Sequence, residues 1–168
     1  KRYDLSFRKG ENVGGLRSAA DERHPTGTVT HWRPDLEVFT DIQIPLAYYQ
    51  DVLKKQAVVN AGLTFELKDG FTGETYTYCY ENGIEDYIRE LNEEKHFTSV
   101  MTYSGEGRGR DREDKPEYKV KAQLAFCFNN EINRMEYYHN SSWLEHGGAP
   151  DKAVRSAFVY ELDKLIKS

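Results

Sequence analysis

The chain is poor in several residue types. It has two cysteines, two methionines, two tryptophans and five prolines in 168 residues. Two cysteines, Cys79 and Cys127, cannot build a disulfide framework, which predicts a reducing, intracellular, cytoplasmic setting. Apolar runs last only a few residues, so no segment is long enough to span a bilayer as a helix. The opening KRYDLSFRKG has no apolar stretch of the kind a secretory leader carries. An excess of positive charge is missing too. Net charge is −5, which argues against a strongly basic, autonomous nucleic-acid binder.

What is present suits a folded domain. Hydrophobic residues make up 38% and charged residues 30%, too apolar for a disordered chain. Aromatics reach 13%, including 12 Tyr and 8 Phe, a bias towards sheet. Charge is unevenly spread. Residues 1–34 hold seven basic and four acidic side chains, net +3, leaving −8 for the remainder.

Local patterns give an element order. Tyr3, Leu5 and Phe7 alternate within residues 1–9 and predict a strand. Residues 10–25 are charged, contain Gly10, Gly14, Gly15 and Pro25, and read as a loop. Residues 26–33, TGTVTHWR, are β-branched and aromatic, a second strand ended by Pro34 and Asp35. Two strands alone are marginal in water, so residues 1–34 read as a piece of a larger sheet. A short strand is expected at 39–42. Pro45 opens a helix whose stripe is Leu46, Tyr49, Leu53, Ala57 and Asn60, with Gly62 as its stop. Alternation at Leu63, Phe65, Leu67 and at Tyr76, Tyr78, Tyr80 predicts a hairpin turning at 69–73.

Asn82 and Glu85 have capping-box spacing ahead of Ile84, Tyr87, Ile88 and Leu91, the clearest helix in the chain. A strand at 98–103 runs into the charged, glycine-rich stretch GEGRGRDREDK, read as a solvated tip. Val120, Ala122, Leu124, Phe126 and Phe128 alternate with Lys119, Lys121 and Gln123, a half-buried antiparallel strand. Residues 132–139 add another. A final helix begins near Pro150 or Asp151 with the stripe Val154, Phe158, Leu162 and Leu165. Clustered antiparallel strands with separate helices make the class α+β.

No complete active site is written in the chain. His24, His31, His96, His139 and His146 are scattered, with no HExxH and no paired cysteines, so no metal site is expected. There is no nucleotide-binding glycine motif between a strand and a helix, and no GxSxG elbow. Two features admit both a structural and a functional reading. Thr26-Gly27-Thr28 is a turn entering a strand or a place where backbone approaches a ligand. Arg108, Arg110 and Arg112 could meet phosphates, but Asp111, Glu113 and Asp114 offset them, as in any solvated loop. Lys119 and Lys121 form a cleaner basic row on one strand face.

Several separated stretches, in order, resemble one family. TGTVTHWRPDLEVFTDIQI is similar to the segment joining the ATPase and transducer domains in the B subunits of DNA gyrase and topoisomerase IV. YYQDVLKKQAVVNAGLTFELKD resembles the family's first transducer helix and next strand, with Val59-Asn60-Ala61-Gly62-Leu63 at the helix end. YCYENGIEDYIRELN resembles its tyrosine-glutamate-glycine-glycine-isoleucine helix start, and YKVKAQLAFCF its long strand. His146-Gly147-Gly148 resembles the glycine pair opening the last helix; where the family has threonine-histidine-glutamate, this chain has Ala149-Pro150-Asp151.

The resemblance implies that residues 1–34 are the last strands of a GHKL-type ATPase domain and 35–168 a transducer domain. That domain would be of the ribosomal-protein-S-five domain-two-like type, with a left-handed βαβ crossover and helices on one face of an antiparallel-rich sheet. It implies a segment of an ATP-hydrolysing type IIA topoisomerase, an isomerase. The catalytic glutamate, adenine-binding aspartate and glycine-rich lid would lie upstream, and the glutamine-threonine-lysine loop downstream. ATP and Mg2+ would then belong to the whole subunit, with none expected on this chain and Thr28 as its single nucleotide-pocket residue. Partners would be duplex DNA, a gyrase A-type subunit and a second B-type subunit. Residues able to face DNA are Lys54, Lys55, Arg89, Arg108, Arg110, Lys119, Lys121 and Arg155. The alternative is a stand-alone nucleic-acid- or protein-binding module of the same fold without an ATPase role. The length of the parent reading frame separates the two.

Overall fold

The computed structural model describes residues 1–22, 25–92 and 97–168. Arg23, His24 and His96 therefore lie outside the described residues. The chain forms two compact units, Lys1–Ile44 and Pro45–Ser168.

In the first unit four short strands replace the strand and loop expected over residues 1–25. β1 (Arg2–Asp4) pairs antiparallel with β4 (Arg17–Ala19), and β2 (Phe7–Arg8) with β3 (Glu11–Asn12). Two ladders nest because Lys9 (φ 51°) and Gly10 (φ 83°) reverse the chain in two residues. Residues 26–33 join no ladder, and the strand expected at 39–42 is absent, since 36–38 form a turn with Val38 and Phe39 N–H on the Asp35 carbonyl. Trp32 meets Phe39 edge-on at 5.9 Å, yet both stay exposed. β-Branched composition favours extended backbone; a strand also needs a neighbour to accept its hydrogen bonds.

The second unit holds the core. Helix α1 (Leu46–Val59) starts after Pro45, packs on β5 (Phe65–Lys68) and β6 (Thr75–Tyr78), and ends where Gly62 takes φ 75°. Of the expected stripe, Ala57 is buried, Leu46, Leu53 and Asn60 are half-buried and Tyr49 is exposed; the covered face centres on Ala57 and Val58, because β5, β6 and α2 (Ile84–Asn92) converge there. Tyr80 and Tyr87 complete the buried cluster, meeting edge-on at 5.8 Å. The turn between β5 and β6 is held by Asp69, whose carboxylate accepts from Phe71 N–H and Thr72 O–H. At the start of α2 the capping acid is Asp86, not Glu85. Asp86 accepts from the Asn82 backbone N–H at 2.7 Å, and that bond holds its carboxyl below its ordinary range.

Strands β7 (Met101–Gly109) and β8 (Tyr118–Phe126) form a nine-residue antiparallel ribbon. β7 runs through glycines that read as part of a hairpin tip; the tip itself is 110–117. Beyond it, β9 (Tyr138–His139) and β10 (Ser142–Trp143) make a two-residue hairpin with Asn140 at φ 53°, in place of the strand expected over 132–139. Helix α3 (Gly148–Lys167) starts two residues early. Gly147 and Gly148 have positive φ, and a Cβ at Gly147 would come within 2.7 Å of Asp151. Phe158 stacks edge-on against Phe126 and Phe128, and Val154 is half-buried. Leu162 and Leu165 are exposed, so the predicted stripe is covered only in its first half. The architecture is α+β. Each ladder among the described residues is a two-stranded antiparallel pair, and none contains a parallel crossover.

Candidate nucleic-acid interface

The ribbon sorts its side chains by alternation. Gly105, Gly107 and Gly109 face the side of Tyr118, Val120 and Ala122. Glu106 and Arg108 share the other face with Lys119 and Lys121. Register puts Glu106 opposite Lys121 and Arg108 opposite Lys119. One carboxylate therefore sits among three cations, a face of net charge +2. Lys119 Nζ lies 2.5 Å and Lys121 Nζ 3.2 Å from Glu106. The hydrogen bond from Lys119, then that from Lys121, holds the Glu106 carboxyl below its ordinary range. At the base of the tip, Glu117 lies 3.3 Å from Arg110 and 4.0 Å from Arg108.

The remaining candidates lie on helices. Lys54 on α1 reaches Glu90 on α2 at 2.6 Å and stands 5.6 Å over the Tyr87 ring. Tyr80 also donates to Glu90, and these two bonds outweigh the desolvation that would raise the Glu90 carboxyl, so it falls below its ordinary range. Lys55 meets Asp51 at 2.8 Å, with its Nζ 3.6 Å over the Trp143 ring. Arg89 pairs with Glu85 at 2.6 Å and Arg155 with Asp151 at 2.9 Å, both at helical i, i+4 spacing. All eight basic candidates thus carry a carboxylate partner. The structure brings Arg108, Lys119 and Lys121 together on the ribbon face with Arg110 at the base of its tip, and Lys54 and Lys55 beside a cavity of about 170 Å3 between α1 and α2. Arg89 and Arg155 join neither group.

Sequence reading missed Arg134, which lines that cavity and pairs with Glu136 at 2.5 Å. Glu136 also accepts from Tyr87 and Tyr138 O–H. Arg134, Glu136 and Tyr138 alternate along one stretch, but nothing in sequence spacing brings Tyr87 of α2 to them. Thr28 lies exposed in the unpaired stretch of the first unit. Among the described residues no three His, Cys, Asp or Glu side chains gather as a metal site would require.

Comparison with known proteins places this arrangement in a family. The family model described as DNA gyrase B matches residues 83–168. The B subunit of the type 2 topoisomerase of Aquifex aeolicus is 31% identical over 159 residues, 93% of this chain and 19% of that protein. The B subunit of DNA topoisomerase 4 of Bacillus subtilis is 28% identical over 94% of this chain and 23% of its own length. The DNA gyrase B subunit of Mycoplasma genitalium is 26% identical over 98% of this chain and 26% of its own. The chain thus spans roughly a fifth to a quarter of these relatives. With a model match over half its length and an alignment running through both compact units, this α+β chain of the transducer type belongs to the DNA gyrase B family.

Proposed function

We propose that the second unit is a transducer. In the whole topoisomerase subunit it would carry ATP-driven closure of a dimer to the part of the enzyme that passes one DNA duplex through another and introduces supercoils. One observation carries this reading: the match to topoisomerase B subunits covers 93–94% of the chain and so takes in both units. A relay has to move as a rigid body. The α1–β5–β6–α2 nucleus suits that task, with Val58 1% and Tyr87 8% exposed and the Lys54–Glu90 pair bridging its helices.

Duplex DNA would meet the polar face of the ribbon and the cations of α1. Each of these cations already has a carboxylate partner. A phosphate must therefore exchange with an internal anion, which keeps contact weak and reversible. Such contact lets a duplex pass rather than holding it. A gyrase A-type subunit and a second copy of the parent subunit would complete the machine, working in the cytoplasm. ATP and Mg2+ serve the whole subunit. Toward that site this chain offers Thr28 alone, which does not make a nucleotide or metal pocket, so no step through ATP is assigned to its residues.

Two measurements test the proposal. The longer natural chain should hydrolyse ATP while residues 1–168 alone do not. Duplex DNA should be retarded by the 168-residue chain at low salt and released as salt rises, with affinity falling by about tenfold or more between 50 and 200 mM for a few phosphate contacts. Turnover by the 168-residue chain, or a tight and salt-insensitive DNA complex, overturns the reading.

A further inference from the structure

The segment from Glu136 to Leu144 is attached to the helices in an unusual way. None of its residues is buried. Its β9–β10 ladder has two residue pairs, extended by the Leu144 N–H donating to the Tyr137 carbonyl at 2.8 Å. Its links to α1 are the Gln56 side-chain amide donating to the Ser141 carbonyl at 2.8 Å and the Trp143 ring lying over Lys55 Nζ at 3.6 Å. Its link to α2 is the Tyr87 hydroxyl donating to Glu136 at 3.2 Å. These contacts are polar or charge-dependent, Tyr137, Tyr138 and Leu144 are only half-buried, and elements with little apolar burial open at low free energy.

The consequence falls on Lys55. Its side chain is only 18% exposed, although its ion-pair partner Asp51 is 60% exposed. Trp143 supplies the cover. Lys55 also lines the cavity whose wall carries Lys54 and Arg134, and those two side chains are 36% and 47% exposed.

We propose that the β9–β10 hairpin is a strap that closes over Lys55 and lifts as a unit, so that Lys55, unlike the exposed Lys54 and Arg134 of the same cavity, is available only when the strap is open. The strap is latched by a cation under an aromatic ring and by three hydrogen bonds, the third from the Tyr137 hydroxyl to the Asp151 carboxylate on α3. Salt weakens the electrostatic part of that latch. This inference goes beyond the relay reading and holds whether or not the chain meets DNA.

The test uses the 168-residue chain with neither DNA nor nucleotide. Lysines are acylated briefly at about 0.05 M and about 1 M NaCl, and the modification of each is read by mass spectrometry. Lys55 should react about tenfold faster at high salt, while exposed Lys68 changes little. Trp143→Ala should raise Lys55 reactivity at low salt and remove most of its salt dependence. Gln56→Ala, a milder change, should raise it severalfold and carries the test if the tryptophan variant does not fold. Amide exchange along β7–β8 should stay unchanged throughout, marking a local event. Equal Lys55 reactivity at both salts, or a rise matched by faster exchange along β7–β8, overturns the strap. Because DNA and ATP are absent, failure here leaves the transducer proposal standing, and failure of that proposal leaves the strap standing.

Discussion

The two compact units are built from similar materials with opposite outcomes. Residues 1–44 contain Tyr3, Leu5, Phe7, Val13, Leu16, Val29 and Trp32, each more than half exposed. No described residue there is buried. Residues 45–168 use the same residue types to bury Ala57, Val58, Tyr80 and Tyr87 together, with Val59, Phe65, Tyr78, Ile84 and Leu91 packed around them. The difference is a covering layer. Two-stranded ladders by themselves cannot cover both faces of their side chains, whereas α1 packs over β5–β6 and α2 packs against α1. Apolar content therefore does not locate a core; convergence of elements does.

The sharpest way to break this comparison is to remove the centre of the nucleus. Tyr87 is 8% exposed, stacks on Tyr80 and donates to Glu136. Tyr87→Ala should cost about 3 kcal/mol or more, the range for deleting a buried aromatic. In hydrogen exchange the loss should be confined to 45–168. Amides of β1–β4 gaining exchange to the same degree would show that the units do not differ as described.

A gentler disturbance of the same residue is alkaline titration. Burial, and then the charge of Glu136, push the Tyr87 hydroxyl from 10.0 up to about 12. The neutral phenol is the form the fold favours. Its contribution is whole below pH 10 and fades as pH climbs through 10 to 12, on the order of 2 kcal/mol in all. Denaturant midpoints measured across that window should fall for the natural chain and fall less for Tyr87→Phe. Parallel curves for the two would remove Tyr87 as the source.

How much of this was legible in the chain depends on the range of the cause. Helix α2 and the β5–β6 hairpin were readable because their signals are local: i, i+3, i+4, i+7 apolar spacing, and alternation around a glycine-bearing turn. β7 was misread because glycines mark loops more often than strands. Here Gly105 and Gly109 are strand positions over which aromatic rings lie. A Cβ at Gly105 would stand 2.7 Å from the Tyr103 hydroxyl, and one at Gly109 3.4 Å from the Tyr118 ring. Residues 26–33 have strand composition but no neighbour to pair with. At the candidate interface the i, i+4 partners of Lys55, Arg89 and Arg155 follow from spacing alone. The Lys119–Glu106–Lys121 group needs the register of the ribbon, and Lys54–Glu90 needs the packing of two helices. Neither is encoded at short range.

The smallest expected effect lies at the far end of α3, where the second unit comes to resemble the first. Leu165 is 70% and Ile166 84% exposed, while Phe158, two turns earlier, sits against Phe126 and Phe128. Leu165→Ser removes apolar surface that already faces water, so the stability of the 168-residue chain should change by no more than about 0.5 kcal/mol. Phe158→Ser deletes a ring packed at 5.0 Å from Phe126 and should cost several times as much. Thermal unfolding of the two variants side by side measures the contrast. If Leu165→Ser were as damaging as Phe158→Ser, the end of α3 would be covered in solution, and the line between buried nucleus and exposed periphery would have to be drawn further along the helix.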